Sequence, residues 1–183
     1  MKPSLSAADK MREPDLAYPA LGFWKPLARD GRREGERFRG FASPVDLHQV
    51  SQGELARGLL DGSEIVDNAG RRFLVQDVRR VGRKTPMWFQ FLLALFGQTD
   101  DVVHILELDL VEGPPITFAE VRQRVCAAMD RDADEWLEAE LEAAVERGRA
   151  SEGRGPLEAA KSAVSEAKTV QEMFDGMDAV WPR

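Results

Sequence analysis

A chain of 183 residues has room for one ordinary domain with a real core, and 43% hydrophobic with 31% charged residues excludes a disordered or fibrous protein. The net charge of −7 is unevenly divided: through Gly97 there are 16 Lys and Arg against 12 Asp and Glu, and after it 9 against 20. Nucleic acid, which needs a concentrated basic surface, is therefore not an expected partner. A single cysteine, Cys126, excludes an intramolecular disulfide, and residues 1–10 lack the apolar stretch of a secretory signal, which predicts a cytoplasmic protein.

Residues 1–19 mix charges with Pro3, Pro14 and Pro19 and show no sustained period, so they read as a flexible arm before a single domain over 20–183. Phe23, Trp24 and Leu27, a Gly-rich charged stretch over 29–35, then Phe38 and Phe41 predict a β-hairpin with a long tip. Ser51 with Glu54 three residues on forms a capping box, in which each side chain satisfies the other's exposed backbone donor, and predicts a short helix carrying Leu55, Leu59 and Leu60. Residues 63–67, the turn Asn68-Ala69-Gly70 and residues 71–80 read as strand, turn, strand. The clearest strand is 102–111, where Leu106, Leu108 and Leu110 alternate with Glu107 and Asp109.

Gly113-Pro114-Pro115 ends the sheet region, because consecutive prolines cannot donate to a ladder. Helices come next. Thr117 and Glu120 form a second capping box ahead of Phe118, Val121, Val125 and Met129 at helical spacing. A third helix opens at Asp132 with Leu137 and Leu141 on its apolar stripe, and two more are expected near 157–168 and from Thr169. The fold class is α+β: a small antiparallel sheet of about four to five strands over 21–112, packed by C-terminal helices over 116–178.

Candidate chemistry is sparse. Two histidines and one cysteine cannot build a Cys/His zinc site of the usual spacing, there is no Gly-x-Ser-x-Gly, and the glycines match no dinucleotide or phosphate-cradling loop. No catalytic residue, cofactor or metal ligand is expected. His104 shares a strand face with Leu106 and Leu108 and reads as a core-edge histidine, and Cys126 reads as a small buried hydrophobe. Residues 87–96, with only Gln90 polar, are too short to cross a bilayer and form either a core element or an exposed apolar patch including Trp88 and Phe91.

Seven carboxylates crowd residues 132–146. That density accelerates association with a basic partner through long-range attraction. The expected function is a non-enzymatic protein-binding module, with Asp134, Glu135, Glu138, Glu142 and Glu146, and with Trp88 and Phe91, as partner-binding residues. In general character, an acidic α+β chain of this size resembles the immunity proteins that neutralise bacterial toxins, and that resemblance implies a bacterial chain inhibiting a toxin. Two other readings come from different classes. One is a small enzyme using Asp100, Asp101, Glu107 and His104 as an acid/base set. The other is peripheral membrane association through residues 87–96, with Arg79, Arg80, Arg83 and Lys84 toward anionic headgroups.

Overall fold

The computed structural model describes residues 15–26, 34–60, 62–86, 89–90, 102–133 and 155–180. Its strands are β1 (Ala20–Trp24), β2 (Arg37–Phe41), β3 (Gln49–Ser51), β4 (Glu64–Val66), β5 (Arg72–Arg83) and β6 (Val103–Glu112). Its helices are α1 (Pro44–His48), α2 (Gln52–Ala56), α3 (Phe118–Arg131), α4 (Gly155–Glu166) and α5 (Val170–Val180). The strands join in one antiparallel sheet in the order β2-β1-β4-β5-β6-β3. No helix among the described residues is long and apolar enough to cross a membrane.

Side chains alternate across a strand, so each strand can feed a core on either side of the sheet. On one face Leu21, Phe23 and Val66 pack with Val121, Val125 and Met129 of α3 and with Leu157, Val164, Met173 and Phe174 of α4 and α5. On the other face Ala20, Phe41, Ile65, Phe73, Val75 and the Leu106, Leu108, Leu110 series enclose Leu47, Leu59 and Leu60 from the α1 and α2 region. Burying each of these large side chains contributes roughly 1.5–3 kcal/mol, so both cores are substantial.

The local signals act as their chemistry requires. Ser51 and Glu54 cap α2 reciprocally, and Thr117 and Glu120 do the same for α3. Gly70 sits at φ 78° in the turn between β4 and β5, where a Cβ would meet the Phe118 ring at 3.2 Å. Asp67, fully buried, closes that turn by accepting from the backbone N–H of Ala69 and Arg71 and from Arg71 Nε.

The sheet has six strands rather than four to five. The addition is β3, whose three residues pair with Ile105, His104 and Val103 of β6. An element that short carries no periodicity to read, and neither does α1. Within the segment expected to be an arm, residues 15–19 are docked: Asp67 accepts from Ala17 N–H at 3.2 Å, Asn68 N–H donates to Ala17 C=O at 2.7 Å, and Leu16 and Tyr18 pack on the second core.

One mismatch of length shapes the molecule. β4 pairs with β5 at only three positions, Leu74 back to Arg72, with a last rung from Val75 N–H to Ser63 C=O. Gly62 at φ 62° and the buried Leu60 at φ 73° turn the chain away there. β5 continues to Arg83, so residues 76–83 pair with β6 on one side and with no described strand on the other.

Candidate functional site

Trp88, Phe91, Asp134, Glu135, Glu138, Glu142 and Glu146 lie outside the described residues, as do Asp100 and Asp101. Phe89, the described aromatic of the apolar segment, is 42% exposed. His104 and Glu107 are described and are not brought together. His104 faces the second core with Leu106, whereas Glu107 projects from the opposite face beside Arg79.

His104 is 2% exposed, on β6 where it pairs with Val50 of β3 and with Arg83 of β5. Its Nε2 lies 2.8 Å from the Gln52 Oε1. Because an amide oxygen only accepts, the ring carries its proton on Nε2 and donates. Burial holds its pKa below the ordinary 6.5, and the Arg80 and Arg83 charges push it the same way. The ring is thus kept neutral and committed to positioning α2. Cys126 faces α4, its Sγ 4.0 Å from Lys161 C=O, and burial pushes its thiol up, with Asp130 adding to the rise and Lys161 and Arg122 opposing it. A thiol in that setting is a poor nucleophile.

Among the described residues, a charged network joins α3 to the sheet. Arg124 binds Glu36 through two hydrogen bonds of 2.7 Å, donates to Glu64 at 2.7 Å, and stands 4.1 Å over the Phe23 ring. Arg72 also donates to Glu64. Burial alone would raise the Glu64 pKa, but the hydrogen bonds and charges of Arg72 and Arg124 outweigh it and hold the carboxyl below its ordinary value. Beside this network is a cleft of about 450 Å³ lined by Arg72, Ile116, Glu120, Arg124 and Arg131. Arg131 reaches the Glu36 C=O and Arg124 is fully paired, whereas Arg72, which donates to Glu64, has a buried Nε without a hydrogen-bond partner among the described residues.

The overhang of β5 is different. Pleating sorts its charges by face: Asp77 opposite Asp109 and Arg79 opposite Glu107 on one side, Arg80 opposite Leu106 and Arg83 opposite His104 on the other. Register shifts between Val75 and Asp77 and between Arg80 and Gly82 bulge the strand, and Val81, in the second shift, is 59% exposed. Three cations here are held by neutral amides: Arg80 by Gln52 at 3.5 Å, Arg83 by Gln90 at 3.0 Å and Lys84 by Gln49 at 2.9 Å. Alongside runs a groove of about 260 Å³ whose walls are Leu55, Leu59 and Gly62 on one side and residues 75–78 with Arg80 on the other.

The grouping of Arg80, Arg83 and Lys84 is visible in the sequence, whereas the groove and its glutamines are not. A usable signal was present: a five-residue strand over 63–67 facing a ten-residue strand over 71–80 must leave an overhang. Among the described residues, no group of three or more His, Cys, Asp and Glu is arranged to hold a metal ion. Comparison with protein-family models, curated proteins and solved structures finds no match.

Proposed function

We propose that this chain is a non-enzymatic protein-binding module of the cytoplasm, of the immunity type, which engages a partner protein through its charged surfaces. The observation that carries the reading is the β5 overhang: residues 76–83 extend past the strand that covers their start, hold Arg80 and Arg83 on neutral amides and expose Val81. A long strand end that adds little to its own core and is covered by no described strand is a natural recognition element. The disposition of the reactive groups also supports it. His104 positions α2, the Cys126 thiol is pushed up by burial, and Arg124 is spanned by Glu36 and Glu64.

The acidic residues Asp134, Glu135, Glu138, Glu142 and Glu146 form the second part of the proposed contact, directed at a basic region of the partner and acting mainly on association rate. The experiment is retrieval of the product of the adjacent gene by the tagged chain, repeated with Glu138, Glu142 and Glu146 changed to Lys. Reversing three charges should slow association by about tenfold or more at low salt. Retrieval that is unchanged by the reversal would remove the acidic surface from the reading.

A further inference from the structure

Building on the protein-binding reading, we infer that the groove beside residues 76–83 takes an extended, acidic segment of the partner, laid down as a short added strand. The groove occupies the place in the sheet where β4 would continue if it were longer. The last rung of that pairing is Val75 N–H to Ser63 C=O, and Gly62 then turns the chain outward. Past that rung no described strand pairs with β5 on this side, and the groove there has one wall built by β5 and the other by α2 and the turn after it. A strand in that position gains main-chain hydrogen bonds and sends alternate side chains to opposite faces.

The walls specify the sequence such a strand carries. Leu55, Leu59, Val75 and Val78 accept an apolar side chain in the groove. Arg80 lines the groove with the Gln52 amide as its present partner, and past the groove Arg83 and Lys84 are held by Gln90 and Gln49, so a carboxylate arriving at Arg80 replaces a neutral acceptor with a charged one. Asp77, also at the groove, is engaged by Arg79 Nε at 2.8 Å and by Val78 N–H at 3.0 Å, and its charge is offset. The occupant is not a second copy of this edge, because two such edges would bring Arg79, Arg80, Arg83 and Lys84 against their own kind, and the bulges disrupt flat self-pairing.

The test uses an eight-residue peptide alternating glutamate and valine, titrated into the isotope-labelled full chain. Amide shifts should be confined to residues 55–62 and 76–83, binding should weaken as salt rises, and the Arg80→Glu/Arg83→Glu variant should bind at least about tenfold more weakly. A central proline in the peptide, which breaks the ladder without changing charge, should weaken binding as well. Equal binding of a lysine–valine peptide would overturn the inference, and so would the same shifts from oligothymidine or phosphatidylserine vesicles, or equal binding to the charge-reversed variant. Absence of peptide binding in a chain that still loses its partner protein on Arg80→Glu/Arg83→Glu overturns the added strand while leaving the binding-module reading intact.

Discussion

A single histidine illustrates how position decides chemistry. In an exposed loop His104 would titrate freely; on β6 it is enclosed by the second core, donates to Gln52 and faces Arg80 and Arg83. Burial first, then those two charges, disfavour its protonated form. Because its folded-state pKa is lowered, the folded chain binds the proton less readily than the unfolded chain. The resulting stability is fully present above the ordinary 6.5 and is lost as pH falls from there toward the depressed folded value. Denaturant unfolding should show a slope of at most about 1.4 kcal/mol per pH unit in that window. His104→Asn, which retains an amide donor for Gln52, should flatten it. The carboxyl of Glu64 is also lowered, so its contribution is fully present above its ordinary 4.5 and is lost as pH falls below that value. An unchanged slope in His104→Asn would place the proton uptake elsewhere.

At the scale of elements, what could be read from the chain depended on how local each cause was. The capping boxes at Ser51 and Thr117, the alternating leucines of β6 and the turn at Gly70 are encoded within a few residues, and all four took the expected form. β3 and α1 were not legible because their cause is tertiary: β3 exists by pairing with His104 and its neighbours, fifty-odd positions away. The groove was illegible for the same reason, being set by where β4 stops relative to β5. Packing of the C-terminal helices on the sheet follows the predicted Val121 series, and it is tight enough to require a glycine on β2. A Cβ at Gly40 would lie 2.3 Å from Cζ of Phe174 in α5. Gly40→Ala should cost about 1–3 kcal/mol by overpacking, and Gly40→Ala with Phe174→Leu should recover part of it. Wild-type stability in Gly40→Ala, measured by urea unfolding, would mean that α5 is not held against β2.

For the whole molecule, the sheet lies between two cores, with the helices α3–α5 over one face and the α1–α2 region over the other. Arg124 ties α3 to the strand edge through Glu36 and Glu64. Among the described residues, β1 and β4 have a strand on either side, yet the far half of β5 has one on a single side, and that asymmetry is the basis of the proposed recognition role. It is tested most directly by placing a photo-crosslinking benzoylphenylalanine at Val81 and irradiating the chain in its own cell. A discrete covalent adduct with one protein is expected, the attached peptide being acidic and extended, and the adduct should be lost in the Arg80→Glu/Arg83→Glu background. No adduct, or an adduct indifferent to that reversal, would contradict the proposed role.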